Sequence, residues 1–141
     1  MCGVTIVRSG AAMERPLLKI FQDAPIGKLL IQTDSSIGEP QLHYCKLPSD
    51  INRRYVFLND AQCSTGAAAM MAIRVLLDHD VPQDHIIFCC FLTSKHGAHL
   101  IHGAFPDVRI VTCQVDGLEV DSNRLTTGFG CYGDRYFGTE V

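Results

Sequence analysis

Five short runs of apolar and β-branched residues punctuate the chain, at residues 3–8, 28–33, 55–60, 86–92 and 108–115. Several are continuous rather than alternating, the mark of strands covered on both faces. Helical patterns lie between some of them. Residues 12–23 set Met13, Leu17, Ile20 and Phe21 on one face. Residues 66–80 are rich in Ala, Met and Leu and stop at His79-Asp80, before Val81-Pro82. Residues 95–104 form a weaker third helix, ended by Phe105-Pro106. Strand–helix–strand alternation predicts an α/β fold, with a mostly parallel central sheet of about five strands, right-handed crossovers and flanking helices. Two segments depart from the pattern. Residues 34–48 hold Ser35, Ser36, Gly38 and Pro40, then an alternating run at 41–46, and are expected to form a mobile loop with an exposed hairpin arm. Residues 116–141 are glycine-rich and predict structured loop.

Composition sharpens this in three ways. With 141 residues and 47% hydrophobic content, the chain fits one domain, residues 1–141, with a core of its own. Twelve basic against fifteen acidic residues give a net charge of −3, which argues against a nucleic-acid or membrane partner and leaves a small phosphorylated ligand open. No apolar run approaches a membrane span, and the opening Met1-Cys2-Gly3-Val4 has no basic leader. It reads as a strand that begins abruptly, as though cut from a longer chain. The seven cysteines include no CxxC pair, which predicts reduced thiols in the cytoplasm rather than disulfides or a zinc site.

Parallel sheets gather ligands beyond the carboxyl ends of their strands. Here those ends carry Arg8, Thr33, Asn59-Asp60, Thr93-Ser94 and Asp116. The sharpest signal is the run Asp60-Ala61-Gln62-Cys63-Ser64-Thr65-Gly66-Ala67-Ala68-Ala69: an acid, a short Ser-Thr-Gly loop, then a helix of small residues. The first amides of a helix lack internal partners and sit at the positive end of its dipole, so they suit an anion. Asp60 suits a sugar diol or a bound Mg²⁺ instead. Acid and anion nest, a ribose apart, suggest a ribose 5-phosphate site. Thr65 as a plain N-cap and Asp60 as a turn former explain the same residues equally well. No lysine follows the glycine, so this is not a nucleotide-kinase P-loop. Arg8 fits a ligand contact better than a surface ion pair. His96, His99 and His102 predict a solvated helix face rather than a metal site, and Met70 and Met71 core packing. Asp134 and Asp116 are open between structural and ligand roles, and Gly128, Gly130 and Gly133 between tight turns and ligand recognition.

The same loop resembles the diphosphoribosyl-binding loop of type I phosphoribosyltransferases. Around it, Cys2-Gly3-Val4-Thr5-Ile6-Val7-Arg8-Ser9-Gly10 is similar to the arginine-bearing strand of the uracil phosphoribosyltransferase family. Gly38-Glu39-Pro40 through Lys46-Leu47-Pro48 resembles that family's hairpin arm, and the run from Gly128 to Thr139 its uracil loop. Ser64 to Val81, with Ile31-Gln32-Thr33, most resembles the C-terminal domain of uridine-cytidine kinase-like proteins. The likeness covers nearly the whole chain and omits the family's N-terminal part.

The resemblance implies a domain of pyrimidine salvage that binds phosphoribosyl diphosphate, uracil or UMP. Family members join uracil to phosphoribosyl diphosphate, giving UMP and diphosphate, with Mg²⁺ carried on the donor's diphosphate. It implies Arg8 at the diphosphate, Ser64, Thr65, Gly66, Ala67 and Ala68 at the 5-phosphate, and Asp60, the catalytic residue, at the ribose hydroxyls. Leu125 or Thr126, with Gly130, Cys131 and Tyr132, would read uracil through the backbone. No protein metal site and a homodimer of the full-length chain are further implications. Four positions depart from the family pattern: Thr33 replaces an arginine, Cys131 an aspartate, Ala61 a proline and Ala68 a hydroxyl residue. Removing one charged partner of a developing anion costs about 3 kcal/mol, so the departures imply binding without efficient turnover. The alternative is an active uracil phosphoribosyltransferase.

Overall fold

The strand β1 (Cys2–Val7) is the hub of the sheet, pairing in parallel with β2 (Ile26–Thr33) on one side and β4 (Val56–Asn59) on the other. In the computed structural model, residues 1–119 and 122–139 are described. Residues 120–121 and 140–141, part of the expected C-terminal loop, lie outside them. β2 carries β3 (Pro40–Lys46) antiparallel on its outer edge, the expected hairpin arm, with a register shift between Leu30 and Ile31. On the other side β4 pairs with β6 (Ile86–Ser94), and β6 with β7 (Arg109–Asp116), all parallel. The two-residue β5 (Gln62–Cys63) resumes the pairing with β6 that β4 leaves at Asn59.

The five parallel strands thus run β2-β1-β4-β6-β7, with β3 added at one edge. The chain moves outward from β1 to β2 and β3, then returns across β1 to start β4. That reversal opens a crevice between the carboxyl ends of β1 and β4. Arg8 and Asp60 follow directly on those two ends.

One face of the sheet is closed by α2 (Ala67–Asp78) and α3 (Lys95–Ala104). α2 buries Ala69, Ala72, Ile73 and Leu76, the i, i+3, i+4, i+7 stripe of a core-facing helix. They pack with Val4, Leu29, Leu58 and Phe88 in one core. α3 starts at Ser94, whose Oγ accepts from the Gly97 amide at 2.7 Å and so satisfies one orphan donor. The opposite face holds a 3-10 turn (Ser9–Met13) and the short α1 (Glu14–Ile20) against β1.

Several expectations from the sequence need correction. The first helix is shorter than 12–23: its start is 3-10, Ile20 points to solvent, and Phe21 leaves the helix to pack on Phe57 at 5.5 Å. β7 is not covered on both faces, because it is an edge strand with Val111 and Val115 more than half exposed. Met70 and Met71 do pack half-buried against the core, as expected, and they also line an apolar cavity of about 360 Å³ with Arg74, His96 and Leu100. The C-terminal stretch is not all loop, since it folds into α4 (Tyr132–Phe137). That helix was hidden by the glycines flanking it. It is held instead by a ladder of rings, Phe91–Tyr132 at 5.4 Å and Tyr132–Tyr136 at 5.7 Å. His96, His99 and His102 are all exposed on α3, the expected solvated face.

Candidate functional site

The break between β4 and β5 builds the site. Asp60 and Ala61 leave the ladder for two residues, while the Ala61 carbonyl still accepts from the Phe91 and Leu92 amides at 3.0 and 3.2 Å. The backbone is therefore pinned to β6 while the Asp60 side chain turns into the crevice. Its carboxylate accepts from Ser9 Oγ at 2.5 Å, which ties the end of β4 to the turn after β1. Burial pushes the Asp60 carboxyl up to about 6, partly offset by the Ser9 hydroxyl and the Ala61 and Gln62 amides. That group titrates just below neutrality and is a strong acceptor once ionised.

Beyond β5 the chain makes a tight turn into α2 at Gly66, whose φ of +85° lies in the left-handed region that favours glycine. Ala67 N–H donates to Thr65 Oγ1 at 3.3 Å, whereas the Ala68 and Ala69 amides have no backbone acceptor. Thr65 therefore satisfies the first helix amide from the position before the N-cap Gly66, and the next two amides keep free donors. The turn is braced from below by α3. Ser94 Oγ donates to the Ser64 carbonyl, and a Cβ on Gly97 would stand 2.8 Å from that same oxygen. Close approach of α3 to this turn thus requires glycine at position 97.

These features line a cleft of about 180 Å³ formed by Thr33, Asp60 and the run from Gln62 to Ala69. A second cleft, of about 340 Å³, is lined by Arg8, Ser9, Ile31, Cys131 and Gly133. Asp60, Gln62, Ser64 and Ala68 line both. The structure therefore brings together Arg8, Asp60, Ser64, Thr65, Gly66, Ala67, Ala68 and Cys131. Gly130 and Tyr132 join them through Gln62, whose Nε2 donates to the Gly130 carbonyl at 3.0 Å while its Oε1 accepts from the Tyr132 amide at 2.8 Å. Leu125 and Thr126 line neither cleft. Leu125 is buried against Leu118, and Thr126 Oγ1 donates to Asp116 at 3.0 Å.

Two side chains left open by the sequence acquire structural work. Asp116 also accepts from the Gly117 and Thr127 amides, so it ties the loop after β7. Asp134 accepts from Arg8 Nη2 at 2.5 Å and from the Thr139 hydroxyl at 2.9 Å. The Arg8 guanidinium, then Thr139, hold its carboxyl below the ordinary carboxylate value. Arg8 therefore lines the cleft and also makes the ion pair that was less favoured on sequence grounds, with its guanidinium 5.4 Å from the Phe137 ring. Gly133 sits beside Arg8 with room for a Cβ, which would make ordinary contact at 3.5 Å, so close packing does not require glycine there. Gln62, the first residue of β5, carries no signal in the sequence, since its role lies in partners 68 and 70 residues away. Among the described residues no group of three or more His, Cys, Asp or Glu is placed to hold a metal ion.

A family model described as uracil phosphoribosyltransferase matches residues 1–139. The chain belongs to that family. It is 51% identical over 139 residues to mouse Uridine-cytidine kinase-like 1, covering 99% of this chain and 25% of that protein. It is 42% identical over 142 residues to Uracil phosphoribosyltransferase 1 of Schizosaccharomyces pombe, covering all of this chain and 64% of the yeast protein. The chain thus spans about a quarter of the one relative and under two thirds of the other. Among solved structures, the AQ2163 protein of Aquifex aeolicus superposes with a TM-score of 0.90 at 25% identity, covering 99% of this chain and 66% of that one. A purine phosphoribosyltransferase of Pyrococcus horikoshii does so at 0.60 and 15% identity, covering 85% and 81%. The fold is that of the type I phosphoribosyltransferases.

Proposed function

We propose that this domain of the uracil phosphoribosyltransferase family binds a ribose 5-phosphate ligand, phosphoribosyl diphosphate or UMP, with little turnover. One observation carries the reading: the half-buried acid Asp60 and the unpartnered amides at the start of α2 line a single cleft. That cleft opens onto a second one bearing Arg8 and Cys131. Amides and helix dipole suit the 5-phosphate, the Asp60 carboxylate suits the ribose hydroxyls, and the second cleft suits diphosphate and base. Low turnover follows from the lining. Thr33 and Cys131 offer no charge, and Arg8 is engaged by Asp134, so the leaving diphosphate meets little preorganised positive charge. An active enzyme making UMP and diphosphate is the alternative, carried by the retained Arg8 and Asp60.

Asp60 is the one acid lining the two clefts among the described residues. A single carboxylate fits Mg²⁺ carried on the donor's diphosphate, because Mg²⁺ keeps waters and phosphate oxygens as ligands. Mg²⁺ there would neutralise the leaving group. All seven cysteines are free thiols, four of them raised by burial to about 11 or 12, which supports a cytoplasmic setting. No helix among the described residues is long and apolar enough to cross a membrane. Exposed Leu42 and Tyr44 on β3 support a homodimer of the full-length protein.

The test is titration with UMP, and with phosphoribosyl diphosphate plus Mg²⁺, followed by an assay of diphosphate release from uracil. Saturable binding without release is expected. Robust release favours the active enzyme. A Thr65→Ala, Asp60→Ala double variant that folds and keeps full affinity refutes the site.

A further inference from the structure

Gln62 is the only side chain on the described residues that spans β5 and the loop before α4 with a donor and an acceptor at once. Its carboxamide meets a carbonyl and an N–H two residues apart, Gly130 and Tyr132. A carbonyl only accepts and an amide N–H only donates, so the orientation of the group is fixed by its partners. The edge it presents, N–H beside C=O, is the edge of a cyclic amide such as a pyrimidine ring. The surroundings also suit a planar ring. Tyr132 packs on Phe91 at 5.4 Å and on Phe129 at 5.8 Å, and Gln62 lines both clefts beside Asp60. The same loop is fastened a second time where Asp134 and Thr139 hold Arg8.

We infer that Gln62 is an internal stand-in for the base: its carboxamide holds the Gly130–Tyr132 backbone pair, and a pyrimidine ligand must displace it to bind. This rests on the phosphoribosyl reading above and deepens it, by assigning a residue that sets base affinity separately from the sugar phosphate. A ligand bearing only ribose 5-phosphate leaves Gln62 in place. A ligand bearing the ring competes with it, and its apparent affinity falls by the fraction of molecules in which Gln62 has swung away.

The experiment compares ribose 5-phosphate, UMP and uracil on the 141-residue chain and its Gln62→Ala variant, by calorimetry. The Gln62 side-chain amide is followed by ¹⁵N NMR in the unsubstituted chain. Removing a competitor held by two hydrogen bonds should tighten UMP about ten-fold relative to ribose 5-phosphate, so the ratio of the two affinities is the readout. UMP, but not ribose 5-phosphate, should move the Gln62 amide resonances. The same ratio in both chains, or Gln62 resonances unmoved at saturating UMP, overturns the inference while ribose 5-phosphate binding keeps the phosphoribosyl reading intact. If neither phosphate ligand binds, that reading fails, and uracil alone decides: tighter uracil binding to Gln62→Ala supports the stand-in, and none overturns it. Should the alanine variant unfold, Gln62→Met serves instead. It keeps the length and loses both the donor and the acceptor without adding charge, so it too should tighten UMP.

Discussion

Replacing Asp60 with asparagine separates what this residue does for the ligand from what it does to the fold. Burial raises its carboxyl from 3.8 to about 6. A raised carboxylate favours the folded state only while it is protonated. Its contribution is fully present below the unfolded value and is lost as pH climbs through the folded one. Ionised Asp60 therefore destabilises the native chain at neutral pH, by at most about 3 kcal/mol for a shift of roughly two units. Asparagine has nearly the same shape, does not titrate and still accepts one hydrogen bond from Ser9, so about 1–3 kcal/mol should be recovered. For a chain of this size that is a rise of roughly 3–9 °C in Tm at pH 8. The stability gap between variant and parent should open between about pH 4 and pH 7, following the titration, and stay constant above. Calorimetric unfolding of both chains across pH 4–8 measures it. Ribose 5-phosphate affinity should fall at least ten-fold in the same variant, through loss of a charge-assisted hydrogen bond. An Asp60→Asn chain less stable than the parent at pH 8, or a gap that ignores pH, refutes the reasoning.

Other predictions concern the packing around the crevice. Gly97→Ala drives a Cβ to 2.8 Å from the Ser64 carbonyl, so it should displace the anion turn and weaken ribose 5-phosphate about ten-fold in calorimetry while α3 persists by circular dichroism. Gly10→Ala places a Cβ 2.2 Å from the Asn59 carbonyl and should cost about 1–3 kcal/mol in chemical denaturation. Asp134→Asn should release Arg8 and speed amide exchange across α4, with little change in the sheet. Because the Asp134 carboxyl is held below its ordinary value, its contribution is present at neutral pH and lost as pH falls through the folded value. Acidifying the unsubstituted chain should reproduce the α4 exchange of the variant.

Periodicity located the five parallel strands and the two long helices because those elements bury their faces in one core, and burial imposes pattern. α3 was found to the residue, with Phe105-Pro106 as a chemical stop signal; that Ser94 caps its start only the structure shows. The turn at Ser64-Thr65-Gly66 was legible as a strand-to-helix junction, because Ser-Thr-Gly before a run of alanines marks a helix start. α4 was not legible, as its anchors are ring–ring contacts with Phe91 on another element and no periodic stripe. The exposure of β7 was hidden too, because an apolar run reads alike on an edge and in the interior.

The sequence alone determined the fold class, the strand ends that gather polar groups, and the family likeness. These depend on residue type and on neighbours within a few positions, which the order of residues states directly. Only the tertiary structure decided who holds whom across the crevice. Arg8 meets Asp134 and Gln62 meets Gly130 and Tyr132 over separations of 126, 68 and 70 residues. Such pairings depend on how the C-terminal segment lies over the sheet, and no local pattern encodes that.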